Sequence, residues 1–223
     1  RLCGSGLAAV HLGSNSIKCN EGSLYIAGGI ESMTRAPLIL LKNDKPFLRS
    51  LEYADSTIGW RFPNNSLLRE IGQDSMPETS DNIAKKLNIS REESDLFAFQ
   101  SQMKHEKAFN AGFFEHEIFP IKIHSSNKRD LDYNMTKDEH PRPKSTLEDL
   151  SKLKPLNNKG VTTAGNSSGV NDGAAAVLLG SLDMIEKLDK YPIAEIITTA
   201  VSGVEPRLMG LGPVSAIQKV LKK

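Results

Sequence analysis

Apolar and polar positions alternate between helical and strand periods along this chain, and the switches outline its elements. Leu7, Val10 and His11 recur at helical spacing and predict a helix over 4–19. Leu24-Tyr25-Ile26-Ala27 then reads as a short buried strand ending in Gly28-Gly29, and a helix followed by a strand suggests an α/β fold. Over residues 34–73 no period persists: Pro37, Pro46, Pro63 and the lone Trp60 interrupt it, which predicts a long irregular excursion serving as a lid or substrate-binding segment. Ser75-Met76-Pro77-Glu78 opens a helix to about Leu87. Ser90-Arg91-Glu92-Glu93 has the spacing of a capping box and opens the strongest helix, over 91–111, ended by Gly112. Residues 122–155 are charged, and the prolines at 141 and 143 force an extended path. A glycine-rich polar loop over 162–173 leads into Ala174-Ala175-Ala176-Val177-Leu178-Leu179, a run with the pattern of a buried strand. A helix over 182–189, a strand over 193–201 and a helix opened by Pro213 complete the predicted order.

Composition narrows the class. The 223 residues are 39% hydrophobic and 25% charged, with a net charge of +1. That balance argues against a nucleic-acid surface, and no apolar run approaches the ~20 residues of a membrane span. Neither a signal peptide nor a metal-ligand spacing is visible. The two cysteines, Cys3 and Cys19, would stand about 24 Å apart on one helix at 1.5 Å per residue, which excludes a disulfide between them. This is the cysteine usage of a reducing compartment, and the expected location is cytoplasmic. The first residue is Arg rather than Met, so the expectation is a processed or partial product.

Cys3 is the principal candidate for chemistry. It stands at the mouth of the first helix, where unpaired backbone N–H groups and the positive end of the helix dipole stabilise a thiolate, and small residues follow it. Two other readings stay open. A free cysteine often serves as a small buried hydrophobe. Gly4-x-Gly6-x-x-Ala9, with Glu31 beyond the next strand, also mimics a dinucleotide-binding fingerprint, although the strand that should precede it is absent from the sequence.

Leu2-Cys3-Gly4-Ser5-Gly6-Leu7-Ala8-Ala9, Gly28-Gly29-Ile30-Glu31-Ser32-Met33, Thr163-Ala164-Gly165-Asn166-Ser167-Ser168-Gly169-Val170-Asn171-Asp172-Gly173-Ala174 and Met209-Gly210-Leu211-Gly212-Pro213 occur in that order. Together they resemble the thiolase family of acyltransferases over essentially the whole chain. Within that family Asp55-Ser56-Thr57-Ile58-Gly59-Trp60-Arg61-Phe62, Asp74-Ser75-Met76-Pro77-Glu78-Thr79 and Asp138-Glu139-His140-Pro141-Arg142-Pro143 are most similar to the 3-oxoadipyl-CoA subgroup.

The resemblance implies a partial thiolase-like α/β fold: residues 1–36 a remnant of the N-terminal core, 37–160 the inserted loop domain that holds coenzyme A, 161–190 a return to the core, and 191–223 the start of the C-terminal core. It implies that Cys3 accepts the acyl group, with its backbone N–H in an oxyanion hole. Arg142 would meet the nucleotide end of CoA, Ala164, Ser168 and Gly169 the pantetheine arm, and Met76 and Met209 the acyl group. Arg61, between Trp60 and Phe62, would meet the terminal carboxylate of a 3-oxoadipyl group. Each has a plainer reading, the methionines as core fillers and the arginines as surface charges. CoA and acyl-CoA are the implied substrates and partners, with no permanently bound cofactor, no metal, and a homo-oligomer, dimeric or tetrameric, as the intact assembly. The family's Gly-His-Pro base, Cys-x-Gly and Asn-Glu-Ala-Phe motifs do not occur in these residues. The chain is therefore expected to be an internal fragment lacking both ends, inactive alone, with a degenerate CoA-binding or interaction remnant as the alternative.

Overall fold

The computed structural model describes residues 1–43, 46–47, 49–124 and 132–222; of the charged stretch 122–155, residues 125–131 lie outside the described residues. The order is mixed α/β: α1 (Ser5–Lys18), β1 (Leu24–Glu31), β2 (Leu38–Leu40), β3 (Tyr53–Asp55), α2 (Asn65–Ile71), α3 (Met76–Leu87), α4 (Arg91–Asn110), β4 (Ile121–Ile123), β5 (Tyr133–Met135), α5 (Leu147–Ser151), β6 (Gly173–Gly180), α6 (Leu182–Lys187) and α7 (Gly212–Val220). Contacts divide the chain into two compact units, Arg1–Ser75 with Val170–Lys223, and Met76–Gly169.

In the first unit β1 pairs antiparallel with β6, Tyr25 opposite Leu179 and Ile26 opposite Leu178. α1 lies on one face of this ribbon. Its buried residues are the small Gly13 and Ser14, and a Cβ on Gly13 would come within 2.8 Å of Leu179 Cδ1 and 3.6 Å of Tyr25 Cβ. Helix and ribbon thus approach closely because position 13 carries no side chain. Ala27, 6% exposed, sits on the same face as Tyr25. On the opposite face Ile26 and Ile30 are 78% and 83% exposed and Leu178 is 60% exposed. The two strands expected to be buried are therefore covered on one face only, because no second layer lies over them among the described residues.

The excursion over 34–73 holds more order than its sequence suggests. β2 pairs antiparallel with β3, and Asn64 caps α2 by accepting from the amides of Ser66 and Leu67. Elements of three to seven residues are too short to leave a readable period. Conversely, residues 193–201 form no strand. Ile193 and Ile197 are exposed there, and no neighbouring segment offers a ladder among the described residues, so apolar composition alone does not make the pairing. A 3-10 helix over Pro206–Leu211 precedes α7.

In the second unit α4 starts with the expected capping box: the Ser90 hydroxyl accepts from the Glu93 amide at 3.1 Å and the Glu93 carboxylate accepts from the Ser90 amide at 2.7 Å. It gives way to Gly112 at φ +75°, a conformation suited to glycine. A second capping box, Thr146 with Asp149, opens α5 within the stretch read only as charged. Leu150 of α5 and Ala84 of α3 are buried, and β4 pairs with β5 in a short ribbon.

Candidate functional site

Cys3 lies in the first unit, within a 3-10 turn over Leu2–Gly4 that runs directly into α1, and its thiol is exposed. Gly4 occupies the N-cap of α1, and no side chain caps that helix, so its leading amides are not taken up by a capping hydroxyl or carboxylate. The neighbouring Leu2 adopts φ +49°, a left-handed conformation disfavoured for a branched side chain by about 1 kcal/mol. Cys19 follows the last residue of α1 and is also a free thiol.

Asp172 closes the far end of the β1–β6 ribbon. Its carboxylate accepts from the Thr34 amide at 2.9 Å and the Thr34 hydroxyl at 2.7 Å, tying the segment after Met33 to the end of the glycine-rich loop. These bonds, first the Thr34 amide and then its hydroxyl, hold the Asp172 carboxyl below its ordinary value. Between these ends, Gly28 permits close pairing, since a Cβ there would stand 2.7 Å from the Ala175 carbonyl oxygen.

Met209 and Arg61 occupy other elements of this unit. Met209, 41% exposed, belongs to the 3-10 helix that Arg207 ties to Asp74. Arg61 donates through Nη1 to the Gly59 carbonyl at 2.9 Å and through Nη2 to the Ser56 carbonyl at 2.7 Å, so its guanidinium braces its own loop. No hydrogen bond among the described residues links Cys3, Arg61 and Met209.

The second unit carries Met76, Arg142, Ala164, Ser168 and Gly169. Ala164, Ser168 and Gly169 are exposed, whereas Thr162 and Thr163 beneath them are buried. The carboxylate of Asp81, on α3, accepts from Asn157 Nδ2, the amides of Val161 and Thr162, and the Thr162 hydroxyl, at 2.8 to 3.0 Å. Burial pushes this carboxyl up, but the four hydrogen bonds outweigh it and hold the group below its ordinary value. Deeper in, Asn166 bonds to Asp95 of α4. The loop is thus anchored from below and open above.

The loop over 139–143 is brought to the same place. Gln102 of α4 accepts from the Arg142 amide at 2.7 Å, and Arg142 Nη1 donates to the carbonyls of Glu139 and Pro141, leaving Arg142 an exposed residue on a shaped turn. The His140 ring lies so close over Gly169 that any Cβ at 169 would overlap it. Arg142 and Gly169, read from separate motifs, are therefore joined through His140. Met76 is the first residue of α3, half exposed, with its carbonyl accepting from Thr79.

Sequence reasoning did not single out Asp81, Asp95, Gln102, Asn166, Asp74 or Arg207 as site residues. The five on helices or beside them, all but Asn166, sit at polar positions that read as solvent-facing, and only their partners, some 40 to 130 positions away, reveal the role. Among the described residues no group of three or more His, Cys, Asp or Glu could hold a metal ion, and no helix is long and apolar enough to cross a membrane.

Comparison with known proteins places this geometry. A profile of the thiolase N-terminal domain matches residues 1–183. The beta-ketoadipyl-CoA thiolase of Escherichia coli is 49% identical over 224 aligned residues, and that of Pseudomonas aeruginosa is 47% identical; each alignment takes in 100% of this chain and 55% of the relative. The crystal structure of human mitochondrial 3-ketoacyl-CoA thiolase in complex with CoA superposes with a TM-score of 0.82 at 39% identity, over 99% of this chain and 53% of that one. The chain thus spans about half the length of the relatives it matches, with a partial thiolase-like fold. On the profile match across most of its residues and these identities, it belongs to the thiolase family.

Proposed function

We propose that this chain is the nucleophile-bearing and CoA-binding portion of a CoA-dependent acyltransferase that cleaves a 3-oxoacyl-CoA, most like a beta-ketoadipyl-CoA thiolase. The observation that carries the reading is the paired loop surface of the second unit, where an exposed 164–169 loop stands on buried anchors beside the Arg142 turn. Exposed amides and a hydroxyl suit the polar pantetheine arm, and an arginine suits a phosphate.

In the reaction, Cys3 Sγ attacks the 3-keto carbon, the C2–C3 bond breaks, and its electron pair leaves with a proton as acetyl-CoA. The thiol of free CoA then displaces the acyl group from Cys3. With 3-oxoadipyl-CoA the products are acetyl-CoA and succinyl-CoA. Arg61 would meet the distal carboxylate, its guanidinium already fixed by two backbone carbonyls. Residues 37–160 would serve as the loop domain. A homo-oligomer and a cytoplasmic location accord with the exposed apolar ribbon face and the two free thiols.

Calorimetric titration of CoA into the purified chain tests the reading. Binding weakened roughly tenfold by Arg142→Ala, the loss of about 1.4 kcal/mol expected for a charge-assisted bond, is the expected result. Absence of binding by the unaltered chain overturns it. The chain alone is expected to show background thiolysis, since none of its histidines lies in a Gly-His-Pro motif. Arg61→Ala is expected to erase any preference for 3-oxoadipyl-CoA over a neutral 3-oxoacyl-CoA in the same titration.

A further inference from the structure

Beneath the exposed 164–169 loop lies a closed chain of polar contacts. Asn166 Oδ1 accepts from the Thr163 amide at 2.7 Å, while its Nδ2 donates to the Val161 carbonyl at 2.9 Å and to Asp95 Oδ1 at 3.0 Å. Asp95, 4% exposed, gives its other oxygen to Arg91 Nε at 2.7 Å, and Arg91 Nη2 reaches the carbonyls of Leu150 at 2.6 Å and Leu153 at 3.0 Å. The loop closes on itself as well: Gly165 donates to the Thr163 hydroxyl and Ser167 to the Thr163 carbonyl. Glycine at 165 lets the loop sit close on these leucines, since a Cβ would lie 2.5 Å from Leu153 Cδ1 and 2.6 Å from Leu150 Cδ2 and would have to push both side-chain ends aside.

One amide side chain satisfies a donor, an acceptor and a buried carboxylate here. The position requires a group that accepts on one side and donates twice on the other, which Asn does and neither Asp nor an aliphatic residue can. Removing it would leave the Asp95 carboxylate short of a partner inside the unit, the costly outcome for a buried charge.

We propose that Asn166, held on Asp95, is the positioning residue that fixes the 164–169 loop in its ligand-receiving shape. For CoA this rests on the function proposed above; for the loop it does not. Asn166 touches no reacting atom. Its effect falls on binding through the placement of Ala164, Ser168 and Gly169.

Asn166→Asp is the decisive variant because it preserves shape and reverses the donor. Its new carboxylate would face Asp95 and the Val161 carbonyl, with the Arg91 guanidinium beside Asp95, the Asp81 carboxylate on the amides of Val161 and Thr162, and the His140 ring over Gly169. Two carboxylates that close share a proton more readily as pH falls. Hydrogen exchange of peptides spanning 161–169 and CoA titration are both read from pH 7.5 to 5, against the unaltered chain. Expected are fast exchange and at least tenfold weaker CoA binding at pH 7.5, with both recovering toward pH 5 by more than the unaltered chain changes. Exchange and affinity equal to the unaltered chain at pH 7.5, or losses that do not recover at low pH, overturn the proposal. Should the unaltered chain bind no CoA, the function above fails and the exchange data alone decide the role of Asn166. Asn166→Ala, followed by hydrogen exchange of peptides across the second unit, separates a loosened loop from an unfolded unit: protection lost only within 161–169 supports the proposal, and loss throughout Met76–Gly169 overturns it.

Discussion

Arg207 grips Asp74 with two parallel bonds, Nε to Oδ2 at 2.8 Å and Nη2 to Oδ1 at 3.0 Å. The fork ties the 3-10 helix carrying Met209 to the turn after Gly72, which sits at φ +76° and would bring a Cβ within 3.2 Å of Arg207 Nε. The Asp74 side chain is 11% exposed and that of Arg207 54%, so screening by water limits the pair. Arg207→Ala is expected to lower the stability of the first unit by about 1 kcal/mol. Gly72→Ala is expected to cost at least as much, because φ +76° with ψ 179° is a conformation open essentially to glycine alone, a strain of about 1 to 3 kcal/mol, and the methyl would also crowd the guanidinium. Urea melting of each variant checks both, and the double variant tests their coupling.

Asp81 contributes to the acid dependence of the second unit. Its folded-state value lies below the ordinary one despite burial, because four hydrogen bonds favour the carboxylate. A depressed value contributes stability that is complete above the unfolded-state value of about 3.9 and is lost as pH falls through the folded-state value. Acid melting should therefore reach the 157–163 segment below about pH 4. Asp81→Asn should remove about 2 kcal/mol at pH 7, since its NH2 would face amide donors, and should flatten that part of the acid transition. Hydrogen exchange of the segment across pH is the measurement.

What the sequence discloses and conceals follows from the range of the interactions. The start of α4 was legible because Ser90 and Glu93 are three residues apart, and its end because Gly112 needs only its own backbone. The place of Cys3 before α1 was legible for the same reason. Residues 193–201 have strand composition, yet a strand exists only where a ladder partner does. Asp95 and Arg91 form an ordinary i,i+4 pair in sequence, indistinguishable from a surface pair; only Leu150 and Asn166, arriving from far along the chain, bury it. The motif strings contain the loop over 164–169 but do not disclose what holds it up, since Asp95 lies 71 positions from Asn166.

Gly169 and His140 are expected to behave as one unit. Gly169→Ala would drive a methyl into the imidazole ring and displace the exposed ring itself, the glycine-rich loop or the Arg142 turn. CoA affinity should fall by about tenfold or more, the scale of a strained contact of 1 to 3 kcal/mol. His140→Ala removes the obstacle, so adding it to Gly169→Ala should restore part of the loss. Strictly additive losses in that cycle, measured by calorimetry, would show that the ring and the glycine act independently.

The outer face of the β1–β6 ribbon leads to the last expectation. Ile26 and Leu178 stand directly opposite one another and are 78% and 60% exposed, with Ile30 further along the same face at 83%. Residues of this kind gain about 25 cal/mol for each Å² taken out of water, so a contiguous apolar face drives association or dye binding. α1 cannot reach it, since it occupies the other side through Gly13. Replacing the pair by Ile26→Lys with Leu178→Glu puts opposite charges across the ladder, an arrangement that strand pairing tolerates. The double variant should keep its far-ultraviolet circular dichroism, bind less anilinonaphthalene sulfonate, and sediment as smaller species than the unaltered chain at equal concentration. Unchanged sedimentation and dye binding would mean that this face drives neither self-association nor dye uptake.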